Sequence, residues 1–195
     1  MKLSRLIFFP FLFALIFITS NCTIPVATGV ATKAVTVSKS DRSIGEYVDD
    51  ALIKVFLKNA YFDHSENIFF NVGVEVSQGR VLLTGTVENI DLRIEANRIA
   101  WGVKGVQTVI NEIQISNSDS ILNFADDLVI STKVLAKITL NEEVNSLNYN
   151  IETVNKIVYI IGIAGSIDEK QLIIDLSKEV FGVEEVVDYI TIKSE

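Results

Sequence analysis

Few side chains in this sequence could do chemistry, and their spacing limits what that chemistry could be. Of 195 residues, one is a cysteine, Cys22, and one a histidine, His64. A solitary thiol excludes an internal disulfide framework and thiolate metal clusters; a solitary imidazole excludes zinc sites built from several histidines. Adjacent carboxylates occur twice, at Asp49-Asp50 and Asp126-Asp127. Such pairs could serve acid/base or metal chemistry. Each also precedes an apolar-periodic stretch, where an aspartate suits a helix N-cap that accepts from orphan backbone N–H groups, and capping is the expectation. His64 lies in the run Tyr61 to Asn67 and reads as a solvated residue of a polar loop before the first strand. Trp101 reads as core or rim packing at a helix end rather than a stacking platform. Gly85 and Gly105 are separated by a whole helix, with no Lys-Ser/Thr pair after either, so a turn or packing role outweighs a phosphate loop. No nucleophile, base and orienting group stand at readable spacing, and no enzyme activity, cofactor or metal is expected.

The cysteine sits in an informative place. Met1 to Asn21 carries Lys2 and Arg5, no acid, and an apolar run of 13 residues from Leu6 to Ile18. Such a run is shorter than the roughly 20 residues a spanning helix needs, and Pro10 weakens it further. Residues 1–21 therefore read as a secretory signal peptide. Ile18-Thr19-Ser20-Asn21-Cys22 resembles a bacterial lipobox, with Thr19 where Leu is usual and Asn21 where Gly, Ala or Ser is usual. The resemblance implies cleavage before Cys22 and acylation of its thiol and amine; ordinary secretory cleavage beside an incidental cysteine is the alternative.

Charge excludes another class. Without residues 1–21 the chain has 15 basic and 25 acidic residues, a net −10. A surface so acidic makes nucleic acid an unsuitable partner. Residues 22–45 hold Lys33, Lys39 and Arg42 against Asp41 and read as a lipidated tether between anchor and folded body.

The elements that would position these residues come from an internal repeat with a constant offset of 77. Val81 to Val87 aligns with Val158 to Ala164, Gly105-Val106 with Gly182-Val183, Asp49-Asp50 with Asp126-Asp127, and Ile113 with Ile190. Two domains follow, 46–116 and 124–194, joined by the polar run Ser116 to Ser120. In each, an apolar-periodic helix leads to a hairpin, Val72-Val74-Val76 turning at Gln78-Gly79 into Val81-Leu83-Gly85 in the first copy. A second helix follows, through Leu92, Ala96, Ile99 and Val103 or Ile173, Leu176 and Val180. Gly105 and Gly182 are expected to end it with positive φ, before a last strand. The fold class is α+β: two tandem αββαβ domains, each a small mixed three-stranded sheet packed against two helices.

The pattern Gly79-x-Val81-x-Leu83-x-Gly85-x-Val87, followed by Ala96, Gly105-Val106, Val109, Asn111 and Ile113, resembles the BON domain. The second copy departs from it at Lys156, where the hairpin glycine stands, and at Ala164. A lipobox followed by two such units is similar to the dual-BON outer-membrane lipoproteins of Gram-negative bacteria. That resemblance implies a periplasm-facing, outer-membrane protein, lipid-anchored, with a role in envelope integrity and, for some relatives, binding of anionic phospholipids by the second unit. Residues 124–195 carry six basic and thirteen acidic residues, a net −7, which repels anionic headgroups. Lys133 and Lys137, four apart on one helix, are the candidate lipid contacts; a solvated helix face is the other reading of that pair. Docking on the membrane and protein interaction in envelope assembly thus both stand as expectations.

The lipobox reading has a direct test. Cys22→Ser should leave unprocessed precursor and abolish incorporation of labelled fatty acid, while soluble, unlabelled protein from the unsubstituted sequence would refute it.

Overall fold

The computed structural model describes residues 44–116 and 120–193; the expected signal peptide, Cys22 and all but the last two residues of the expected tether lie outside the described residues. The first repeat contains α1 (Ile44–His64), α2 (Glu66–Asn71), β1 (Val72–Ser77), β2 (Arg80–Val87), α3 (Ile90–Trp101), β3 (Thr108–Asn111) and β4 (Gln114–Ile115). The second contains α4 (Ser120–Thr139), a 3-10 turn (Ser146–Asn148), β5 (Tyr149–Val154), β6 (Ile157–Ala164), α5 (Ile167–Lys178) and β7 (Glu185–Ile192). The αββαβ order recurs, with the short α2 added in the first copy. Where a polar loop is expected from the sequence, α1 runs through His64 and Ser65 then caps α2, its hydroxyl accepting from the Ile68 N–H.

The middle strand of each sheet is antiparallel to one neighbour and parallel to the other. Val72 lies opposite Gly85 and Tyr149 opposite Gly162, so the hairpin registers coincide under the 77-residue shift. The helix after each hairpin starts at an equivalent cap: Asn89 accepts from the Leu92 N–H at 3.0 Å and Ser166 from the Glu169 N–H at 3.1 Å. In the second unit β6 and β7 pair without a break from Ile157 to Ala164. In the first, the ladder is interrupted between β3 and β4, beside Gly85 at φ 106°. A Cβ on Gly85 would fall 2.0 Å from the Asn71 carbonyl oxygen, so only glycine fits there.

Asp50 and Asp127 are not N-caps. Asp50 is buried inside α1, and its carboxylate accepts from the N–H groups of Gln78 and Gly79, both at 2.8 Å. Asp127 does the same for Asn155 and Lys156, at 2.7 and 2.8 Å. Both central residues of each hairpin turn have positive φ (53° and 67°, then 50° and 65°), the type I′ geometry whose twist matches the flanking strands. In that geometry the turn N–H groups point at the helix, and a carboxylate is the acceptor that satisfies both.

Gly105 and Gly182 have φ of 98° and 101°, as expected, but neither caps a helix. α3 ends at Trp101 and α5 at Lys178, and each glycine lies in the following loop. Added Cβ atoms would stand 3.1 Å from Ile53 and Ile130 respectively, so these glycines let the loops close onto α1 and α4.

Each unit has a core between its helices and one sheet face. Ile53, Leu57 and Tyr61 pack with Val74, Val81, Leu83 and Ala96; Ile130, Val134 and Ile138 pack with Val158, Ile160 and Ile173. Tyr61 also donates to the Ala96 carbonyl at 2.9 Å, a bond that Ile138 cannot make. A third core lies between the two sheets, where Leu82, Val154, Tyr159 and Ile161 are buried with Ile110 and Val187 packed against them. Its contacts join equivalent positions of the repeats: Leu82 and Tyr159 share the cluster, as do Ile110 and Val187, and Tyr189 donates its hydroxyl proton to Glu112. Arg80 reaches across to donate to the Tyr189 carbonyl at 2.7 Å, and Asn150 to the Val76 carbonyl at 2.9 Å.

Replacing Asp127 with Ala strands two N–H groups that have lost a charged acceptor. A loss of about 2–4 kcal/mol in unfolding free energy is expected by denaturant titration. Lys156→Gly should raise the unfolding midpoint, because glycine adopts φ 65° without the steric cost borne by lysine.

Candidate functional site

The outer surface of α4 is the part of the structure where chemistry and exposure coincide. Ile130, Val134 and Ile138, four residues apart, turn inward. That spacing leaves Val129 and Lys133 on the outside, with Leu140 exposed just beyond the helix end. Lys137 lies at the edge of this face and forms an ion pair with Glu179, in the loop after α5. That loop is anchored at two further points. Val180 is buried, its carbonyl accepting from the Val183 N–H at 3.1 Å, and Gly182 stands over Ile130. Between them Phe181 is 91% exposed, the most exposed large apolar side chain among the described residues.

The first repeat holds the same residue types with places exchanged. Phe56 stands where the second repeat has Lys133, and Lys104 where it has Phe181. Phe56 and Lys104 both line an open groove of about 880 Å³ that also includes Glu46, Asp49 and Asp50.

Electrostatics concentrate at the junction of the sheets. Glu152 of β5 is largely buried, and its pKa is pushed up to about 7, first by desolvation and then by repulsion from Glu75, its own equivalent in the first repeat. Lys54 and Lys58 act in the opposite sense, but Lys54 is held by Glu75 at 2.8 Å. Lys58 donates to the Phe69 and Val72 carbonyls, at 2.7 and 3.2 Å, and burial holds its pKa below the usual lysine range. Burial likewise raises the Tyr61 and Tyr189 hydroxyls.

With this geometry in place, comparison with known proteins is decisive at the level of family. The model of the BON domain matches residues 49–117 and again 126–194. The chain belongs to the BON-domain family. The first BON domain thus coincides with the repeat built on Asp50 and the second with that built on Asp127. An Anaplasma centrale protein described as "Uncharacterized protein in gshII 5'region" is 40% identical over 147 residues, covering 75% of this chain and 96% of that one. "Osmotically-inducible protein Y" of Escherichia coli is 28% identical over 77% of this chain and 76% of its own. "Outer membrane lipoprotein DolP" of Haemophilus influenzae is 27% identical over 86% of each.

Of the residues singled out in the sequence, Cys22 lies outside the described residues. Lys133 and Lys137 share the first helix of the second BON domain, one exposed and the other held by Glu179. His64 closes α1 and lies 2.8 Å from Glu95, and Trp101, about half exposed, ends α3 at the rim of the first BON domain. Among the described residues no group of three His, Cys, Asp or Glu could hold a metal ion. Sequence reading missed Phe181 and Glu152. Their setting depends on contacts between segments far apart in the chain, although an aromatic residue beside the loop glycine was a visible signal.

The raised pKa of Glu152 fixes the sign of a pH effect. Between the ordinary value of 4.5 and about 7 the folded protein holds a proton that the unfolded chain has released. Stability from this group therefore falls as pH rises through that window, and below it the group contributes nothing. Glu152→Gln should flatten this part of the stability–pH curve and raise stability above about pH 8 by roughly 2–3 kcal/mol, measured by denaturant titration.

Proposed function

We propose that this protein is a non-enzymatic lipoprotein of the cell envelope. In this reading acylated Cys22 holds it on the periplasmic side of the outer membrane, and its BON domains dock on phospholipid to support envelope integrity. The observation that carries the reading is the pair of BON domains, together with a likeness over 86% of both chains to a relative named as an outer membrane lipoprotein. Among the described residues no helix is long and apolar enough to cross a membrane, and the reading places attachment at Cys22. Acyl chains gain about 0.8 kcal/mol per buried CH₂, so more than one chain gives a stable anchor. Lys133 is the exposed cation that would meet lipid phosphate; Lys137 would do so by exchanging Glu179 for it.

The net −7 of residues 124–195 favours a second reading, in which the BON domains bind other envelope proteins and do not contact lipid directly. Flotation with vesicles decides between them, using the chain from residue 22 onward with Cys22→Ser. Binding that is stronger on vesicles containing phosphatidylglycerol, weakens from low to physiological salt and falls in Lys133→Glu/Lys137→Glu supports lipid docking. Absence of binding to any vesicle, with specific co-purification of an envelope protein, moves the assignment to the interaction module.

A further inference from the structure

We propose that the groove between α4 and β5 of the second BON domain is a docking site for a protein segment that presents a lysine or arginine between apolar residues. The inference rests on the second reading above, in which the BON domains bind envelope proteins, and names the surface and the chemistry of the partner. The groove, of about 400 Å³, is lined by Phe124, Leu128, Ser131 and Leu135 of α4, with Glu152 of β5 and Glu75 of β1. Spacings of four, three and four put the α4 residues on one stripe of the helix, separate from the face that carries Val129 and Lys133.

The first repeat shows what such a groove holds. Under the 77-residue shift Ser131 corresponds to Lys54, Leu135 to Lys58 and Glu152 to Glu75. There the chain supplies its own cations: Lys54 pairs with Glu75 at 2.8 Å, and Lys58 donates to the Phe69 and Val72 carbonyls. In the second repeat both ammonium groups are gone. Ser131 turns its hydroxyl to Thr153 at 2.7 Å, and Leu135 carries no charge. Among the described residues no ion pair reaches the largely buried Glu152. Asp127, the other second-repeat carboxylate in the groove, is already satisfied by the N–H groups of its turn.

Apolar surface completes the site. Phe124, Leu128 and Leu135 are 68, 58 and 46% exposed, where the first repeat has Tyr47, Ala51 and Lys58. A basic side chain entering here takes toward Glu152 the place that Lys54 holds toward Glu75, and its apolar neighbours cover the three exposed side chains. The net −7 of residues 124–195 favours a cationic segment over an anionic one. An incoming cation needs Glu152 ionised. Glu75 on β1 and Asp127 on α4 face that carboxyl and favour its proton, whereas Lys54 and Lys58 on α1 oppose it. With a pKa of about 7, its ionised fraction rises from about a tenth at pH 6 to about nine tenths at pH 8, so binding tightens across that window.

The test begins with Thr132→p-benzoylphenylalanine, a photoreactive residue lining the groove, in the full chain irradiated in cells. The crosslink should map to a segment of an envelope protein with a lysine or arginine between apolar residues. It should be lost in Ser131→Lys/Leu135→Lys, which refills the groove as in the first repeat and should not lower the unfolding midpoint at pH 8. A synthetic peptide of the mapped segment should bind the chain from residue 22 with Cys22→Ser roughly tenfold more tightly at pH 8 than at pH 6. Glu152→Gln should remove that dependence, and methionine in place of the peptide's basic residue should weaken binding at pH 8 by roughly tenfold or more. No crosslink from position 132, or one to residues 22–43, to a second copy, to lipid or to a segment without a basic residue, overturns the proposal. Specific co-purification of an envelope protein that persists in Ser131→Lys/Leu135→Lys also overturns it and leaves the interaction reading standing. Absence of any co-purifying envelope protein overturns that reading, and this proposal with it.

Discussion

In each repeat a carboxylate buried in the first helix accepts both N–H groups at the tip of the neighbouring hairpin, and the placement of the sheet follows from that bond pair. A charged acceptor inside a mostly apolar core is costly unless its oxygens are satisfied. Asp50 and Asp127 meet this condition with N–H groups that a type I′ turn would otherwise leave unpaired near the core. The pairing fixes helix against hairpin at one end. It thereby decides which alternate residues of β1, β2, β5 and β6 face the helices and which face the other sheet. Slipping either strand by one residue would bury the wrong set.

The second level of organisation is the meeting of the two sheets. Residues 77 apart touch each other: Tyr189 bonds to Glu112, and Glu152 feels Glu75. Such self-pairing is the mark of an isologous contact, here within one chain. Self-pairing also explains the one electrostatic weakness of the junction. A carboxylate at such a position meets its own duplicate, and in the repeat of Glu75 that duplicate is the largely buried Glu152. At the equivalent pair of Glu112 and Tyr189 the side chains have diverged into donor and acceptor, which removes the conflict.

The elements of the fold were legible because they depend on local periodicity and because the pattern occurs twice. The hairpin turns, the strand alternation and the positive φ of Gly105 and Gly182 all have signals within a few residues. What failed did so for want of long-range information. An aspartate before an apolar run looks like a cap, and nothing nearby reveals that its acceptor oxygens serve a turn 28 residues on. The glycine after a helical pattern looks like its stop signal, whereas the helix had ended and the glycine serves the approach of a loop to Ile53. The sheet-on-sheet core had a visible signal in the unbroken apolar run Ile157 to Ala164, which marks a strand buried on both faces. Lys133 and Lys137 were legible as cations on one helix, but only the structure supplies Glu179.

The sheet-on-sheet core bears on how the chain comes into being. Synthesis delivers the first repeat before the second, and until β5 to β7 exist Leu82 and Ile110 have no opposing surface. The early half is thus a sheet with one wet apolar face, the kind of intermediate that invites strangers. Arg80 and the Val76 carbonyl, which later bond across to the second half, then lack those partners as well. The nascent first repeat is left waiting for its sibling, and the pair is the smallest unit that closes on itself.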